Sequence, residues 1–125
     1  MNSHQNDAEE CFSMKNNIID VIDSTFRQQV IKSELPVLVD CWALRCVPCK
    51  VLIPVLEELR QEYEGRLNIV KYNTTENFEF TYQYKIKGAP TLLIFNQGKM
   101  IAKKMGALSK NKLVDFLQEH LDLPL

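Results

Sequence analysis

The sequence predicts an α/β fold in which a central mixed sheet is flanked by helices on both faces. Three observations carry that expectation. Short β-branched apolar runs alternate with segments whose apolar residues recur at helical spacing. The run Val37-Leu38-Val39-Asp40-Cys41-Trp42 is nearly all apolar, as in a parallel strand covered on both sides. The last two strand-like runs are joined by the turn sequence Asn96-Gln97-Gly98-Lys99, which adds antiparallel pairing at one edge.

Taken in order, residues 1–17 are polar and aperiodic and read as a flexible N-terminal extension, with Cys11 outside the chemistry; the folded domain is expected over residues 18–125. Residues 18–22 read as a short strand. Asp23 or Ser24 is placed to cap a helix over about 25–32, and Leu35-Pro36 breaks the pattern. The central strand 37–42 follows. Over residues 46–63, Val51, Leu52, Val55, Leu56 and Leu59 recur at helical spacing with charged residues between them, which predicts a long amphipathic helix. Pro54 lies inside it, so a kink near residues 50–54 is expected rather than a break. Residues 67–73 read as a strand, 76–82 as a short helix and 91–95 as another strand. Residues 99–105 close the hairpin, Gly106 ends it, and Ser109 caps a last helix carrying Leu113, Phe116, Leu117 and His120. The predicted order is β-α-β-α-β-α-β-β-α.

The 125 residues, 46% hydrophobic and 25% charged, suit one core. Fifteen basic against sixteen acidic side chains provide no global attraction to nucleic acid or an anionic membrane. No apolar run approaches the roughly 18–20 residues of a membrane span. Neither nucleic acid nor membrane is therefore expected as a partner. The first residues, with Asp7, Glu9 and Glu10, lack the basic start and apolar block of a targeting peptide, which makes the cytoplasm the expected compartment. In a reducing compartment four cysteines make a poor disulfide framework, and a close pair points to catalysis or metal binding.

That pair is Cys46-Val47-Pro48-Cys49, between a buried strand and the start of a long helix, where backbone N–H groups are unsatisfied and stabilise an anion. The thiolate is the nucleophile, so Cys46 is expected to attack, while Cys49, one turn further in, resolves the mixed disulfide. Two core cysteines that happen to lie three apart would show the same spacing, but the strand-to-helix placement favours redox chemistry. A metal site needs about four ligands. The other candidates, Cys11, Cys41, His4 and His120, form no second close pair, and no metal is expected. Asp40 would be costly to bury ionised, so a raised pKa and a role in accepting the Cys49 proton are expected, against the alternative of a purely structural buried carboxyl. Cys41 has the opposite parity to Asp40 and Trp42 and reads as core on the other sheet face.

These residues resemble the thioredoxin family over about residues 18–121. The strand 37–43, with Asp40 and Trp42, leads into Cys46-Val47-Pro48-Cys49-Lys50; Pro54 looks like the family's helix-kinking proline, and Lys71 like the lysine beside its buried aspartate. Gly88-Ala89-Pro90-Thr91 resembles its cis-proline loop, and Gly98 and Gly106-Ala107 its hairpin and groove-rim glycines. The resemblance implies the thioredoxin fold and a protein thiol-disulfide oxidoreductase. Its only cofactor would be its own Cys46–Cys49 disulfide, its clients would be disulfide-bearing proteins, and its electrons would come from a thioredoxin reductase. It also implies that Ala89, Pro90 and Gly106 line the client groove and that Pro48, Lys71 and Trp42 support the site. A monomer is expected.

Two departures stand at the turn: Arg45 where the family usually has tryptophan, and Val47 where it has glycine. Arg45 and Val47 are therefore expected to alter client choice, and the Arg45 charge to favour the Cys46 thiolate and make the disulfide more oxidising. Lys50, Lys85 and Lys87, with Arg45, are candidates for a basic rim that attracts acidic partners, or for a scattered solvated set. Two other readings compete: a more oxidising exchange protein or isomerase, and a binding module that uses the fold with little turnover.

Overall fold

The computed structural model describes residues 18–123; the expected extension 1–17, with Cys11, lies outside them. The chain forms β1 (Ile19–Val21), α1 (Asp23–Phe26) continuing into a π-helical stretch (Arg27–Ile31), β2 (Val37–Trp42), α2 (Val47–Glu62), β3 (Asn68–Asn73), α3 (Glu79–Gln83), β4 (Thr91–Asn96), β5 (Lys99–Met105) and α4 (Lys110–His120). This is the predicted order. The strands make one mixed sheet, β1-β3-β2-β4-β5, parallel among β1, β3 and β2 and antiparallel from β2 through β4 to β5.

Alternation along the strands sorts side chains onto two covered faces. On one, Leu38, Ile69, Leu92 and Ile94 pack with Leu52, Leu56 and Leu59 of α2 and Leu113, Phe116 and Leu117 of α4. On the other, Val37, Val39, Cys41, Tyr72 and Phe95 pack with Phe26 of α1, Val30 and Phe80 of α3. Phe26 and Phe80 stack with ring centroids 4.1 Å apart. Burial of each such side chain contributes about 1.5–3 kcal/mol, so the two layers hold β2 rigidly between them. Helix α2 continues through Pro54. The missing donor costs one ladder bond, while Leu52, Leu56 and Leu59 anchor both halves. Val51 leaves the predicted apolar stripe, being 64% exposed.

Neither Asp23 nor Ser24 caps α1. Ile22 is the N-cap residue, its N–H donating to Thr25 Oγ1 at 3.0 Å, and Asp23 lies inside the first turn. The Asp23 carboxylate caps α3 instead: Oδ2 accepts from the N–H groups of Phe78 (3.0 Å) and Glu79 (3.2 Å), and Oδ1 accepts the Tyr72 hydroxyl (2.6 Å). Tyr72 Oη accepts in turn from the N–H groups of Phe80 (3.1 Å) and Thr81 (3.3 Å). Together they satisfy the orphan donors of α3, which fixes its start at Glu79 rather than the expected residue 76. Burial pulls the Asp23 pKa up, but the bonds from Tyr72 and from the backbone of Glu79, Phe78 and Phe80 outweigh it and hold the group below its ordinary value. Ser109 caps α4 as predicted, accepting from the Lys112 N–H at 3.3 Å.

Candidate functional site

The carboxyl end of β2 is tied to the segment after β3. Thr74 donates its N–H (2.8 Å) and hydroxyl (2.9 Å) to the Trp42 carbonyl, and the Leu44 N–H donates to Thr75 Oγ1 at 3.0 Å. Arg45 follows, exposed and in the left-handed region at φ 61°. Cys46 is the N-cap residue of α2, with extended backbone, and its Sγ accepts the Cys49 N–H at 3.2 Å. Pro48 occupies the first turn, where a missing donor is harmless. Cys46 and Cys49 are joined in a disulfide with Cα atoms 5.3 Å apart; Cys46 is half-buried and Cys49 is buried. The outer sulfur therefore meets a partner first. Val47 and Val51, one turn apart on α2, are 68% and 64% exposed and with Leu44 make an apolar margin beside Cys46. Leu44 and Val51 were not predicted for this margin; only their exposure, Leu44 in the turn before Cys46 and Val51 on the outer side of α2, reveals them.

Because β4 runs antiparallel to β2 with Thr91 opposite Cys41, the residues just before Thr91 lie at the same sheet end as the cysteine turn. There the Ala89–Pro90 bond is cis. Thr91 Oγ1 donates to the Gly88 carbonyl at 2.6 Å, and the Gly106 N–H donates to the Pro90 carbonyl at 2.7 Å, fastening this loop to the end of β5. Gly106, at φ 106°, takes a backbone conformation that suits glycine. No hydrogen bond engages the Ala89 backbone among the described residues. Lys85 and Lys87 line an adjoining cleft of about 480 Å³ with Thr91, Lys103 and Met105. Lys103 is already committed there, its Nζ donating to the carbonyls of Tyr84 and Lys85, both at 3.2 Å.

Beneath the turn, Asp40 is fully buried, and among the described residues neither carboxyl oxygen has a hydrogen-bond partner. It lies on the Leu38 face, which α2 covers. Advancing from Leu38 to Asp40 along β2 and retreating from Leu52 to Cys49 along α2 approach the same end, so the carboxyl and the buried sulfur share that end of the layer. The Asp40 pKa is pushed up to about 7 by burial, with the Lys71 charge pulling it down and the Asp20 charge pushing it up. Lys71 stands opposite Asp40 in register, but its ion pair is with Asp20 of β1, Nζ to Oδ2 at 3.6 Å. Asp20 Oδ1 also accepts the Trp42 indole N–H at 3.0 Å. Asp20 was missed from sequence, although it shows the same signal as Asp40: a lone carboxylate in an apolar strand. Cys41 is buried on the opposite face, its thiol driven well above the usual range by burial and then by the Asp40 charge.

Among the described residues no group of three or more His, Cys, Asp and Glu side chains is arranged to hold a metal ion, and no helix is long and apolar enough to cross a membrane. The thioredoxin family model matches residues 17–119. The chain is 49% identical over 108 residues to a thioredoxin of Acidithiobacillus ferridurans and 44% identical over 108 residues to one of Pseudomonas aeruginosa, each match covering 86% of this chain and 100% of the relative. It is 46% identical over 101 residues to thioredoxin 1 of Nostoc sp., covering 81% of this chain and 94% of that one.

Proposed function

The chain belongs to the thioredoxin family and is a thiol-disulfide oxidoreductase, and from that premise we propose that it reduces disulfides of client proteins in the cytoplasm, with Cys46 attacking, Cys49 resolving and Asp40 moving the proton. The single observation that carries this is the Cys46–Cys49 disulfide at the start of α2, its outer sulfur accessible and its inner one buried. In the reduced protein, the Cys49 N–H that faces Cys46 Sγ at the start of α2 and the Arg45 charge favour the Cys46 thiolate. That thiolate attacks one sulfur of a client disulfide; the client S–S bond breaks and its other sulfur leaves as a thiolate. Asp40, ionised in part near neutral pH, accepts the Cys49 proton. The Cys49 sulfur then attacks Cys46 Sγ, the mixed disulfide breaks, and the client leaves with both electrons. A separate reductase returns two electrons to the Cys46–Cys49 disulfide.

The unengaged Ala89 backbone supports pairing with an extended client segment, with Pro90 and Gly106 shaping the groove. The exposed Val47, beside Leu44 and Val51, supports apolar client contacts in place of the missing indole. Lys85 and Lys87, with Arg45, favour acidic client surfaces.

The exposed Arg45 also supports a second reading, a more oxidising exchange protein. The test is stoichiometric reduction of a disulfide-bearing protein, together with the Cys46–Cys49 reduction potential measured in variants lacking Cys11 and Cys41. Transfer that is lost in Cys46→Ser and trapped as a mixed disulfide in Cys49→Ser supports the exchange mechanism. Transfer that persists without Cys46 refutes it. A potential near roughly −270 mV favours the reductase, and one at or above roughly −200 mV favours the oxidant or isomerase. Client complexes that survive with both cysteines changed to Ser would instead mark a binding module.

A further inference from the structure

Asp20, Lys71 and Asp40 occupy one row across three neighbouring strands. Lys71 of β3 is the register partner of Asp20 on one side and of Asp40 on the other. By strand parity all three share the face of Ile18, Ile69 and Leu38, which packs against α2. The row runs from surface to interior: the side chain of Asp20 is 47% exposed, that of Lys71 9%, and Asp40 is fully buried. One ammonium thus stands between two carboxylates, and the outer one holds it, with Nζ 3.6 Å from Asp20 Oδ2. The other oxygen of Asp20 accepts the Trp42 indole N–H, while both oxygens of Asp40 are unpartnered among the described residues.

We propose that Asp20 is a positioning residue for the exchange reaction, holding Lys71 at the outer end of this row so that the Asp40 carboxyl is left without a cation partner and stays a competent proton acceptor. The inference rests on the role given to Asp40 above. An ionised Asp40 paired with Lys71 would be stabilised as the anion and would be a weak base toward Cys49. Two effects of Asp20 oppose that: it draws the ammonium outward, and its own negative charge disfavours a second one in the row. Lys71 and Asp20 are the charges acting on Asp40. The other elements packed on this layer bring Cys49 and Leu52 from α2, Leu92 from β4, and Leu113, Phe116 and Leu117 from α4. Removing Asp20 therefore acts twice in one direction, toward easier ionisation of Asp40. The Trp42 contact adds a second anchor, since the indole holds Asp20 in place at the sheet edge.

The test is the pH midpoint of the Asp40 carboxyl, followed by carbon-13 NMR of the oxidised full-length protein without turnover. In Asp20→Asn the midpoint falls by roughly half a pH unit or more; in Lys71→Met it rises. In the Lys71→Met background, Asp20→Asn moves it by less than half as much, because only the direct effect of the Asp20 charge remains once the cation is gone. Asp20→Ser, also neutral and too short to hold Lys71, reproduces the fall and guards against a peculiarity of the amide. Resolution of a Cys46 mixed disulfide by Cys49 follows the same shift, its half-maximal rate moving to lower pH in Asp20→Asn. An unchanged midpoint in both Asp20 variants, or an equal fall with and without Lys71, overturns the proposal. If Asp40→Asn leaves resolution unslowed, the proton-acceptor role fails and the effect of Asp20 on the reaction falls with it, whereas hold of Asp20 over Asp40 is decided by the NMR midpoint alone.

Discussion

Replacing Asp40 by Asn removes a titration that sets how stability varies with pH. The folded carboxyl has its pKa pushed up to about 7 from an ordinary 3.8, chiefly by burial. A raised folded pKa means that the native state holds the proton more tightly than the unfolded chain. The stabilisation it brings is complete below pH 3.8, declines as pH rises, and is gone above about 7. Across that window the folding equilibrium weakens by roughly tenfold per pH unit, a loss of about 4 kcal/mol in all, large against the roughly 5–15 kcal/mol of a typical domain. The assay is urea unfolding of the oxidised wild type and Asp40→Asn at intervals from pH 4 to 8. Disulfide-bonded Cys46 and Cys49 do not titrate, and carboxylates common to both proteins cancel in the difference. The variant gains on the wild type steadily as pH rises and the gain levels off above pH 7. A flat difference curve, or one of opposite slope, would refute the claim that Asp40 is buried without a compensating partner.

Other outcomes follow from the same geometry. Arg45→Gly relieves a left-handed residue and stabilises the fold by roughly 1 kcal/mol in urea; it also moves the pH midpoint for Cys46 alkylation upward, and an unmoved midpoint would show that the guanidinium charge does not reach the sulfur. With Cys11 changed to Ser, the native oxidised protein resists iodoacetamide because Cys41 is buried with a raised pKa, and labelling before denaturation would contradict that placement. Tyr72→Phe strips the hydroxyl that serves Asp23, Phe80 and Thr81 and costs about 1–3 kcal/mol in urea; a negligible loss would mean that Asp23 alone caps α3.

Much of this was legible in the sequence because it is local. The redox turn, the cap at Ser109, the hairpin glycine and the burial of Asp40 each depend on a short stretch of chain. What was not legible depends on strand order. Lys71 reads as the neighbour of Asp40, and it is; that its ammonium pairs with Asp20 follows only once β3 is placed between β1 and β2. Asp23 precedes a helix and so reads as that helix's cap, yet its carboxylate reaches across to α3, which lies beside it only in the folded chain. The π-helical stretch at Arg27–Ile31 has no signature in apolar spacing, because Phe26 and Val30 bury equally well from either helix type.

The two borders of the sheet are both unwelcoming to a foreign strand. At one, β1 offers a ladder of only three residues. At the other, β5 carries Lys99, Lys103 and Lys104, and its pairing with β4 is irregular at Ile94 and Phe95. Charges and broken regularity of this kind suppress edge-to-edge aggregation. For a protein proposed to grip extended, partly unfolded clients through main-chain pairing at Ala89, that matters twice. Such clients are themselves aggregation-prone, and among the described residues the blunted borders turn a visiting strand away from the sheet edges and toward the proposed groove beside Cys46.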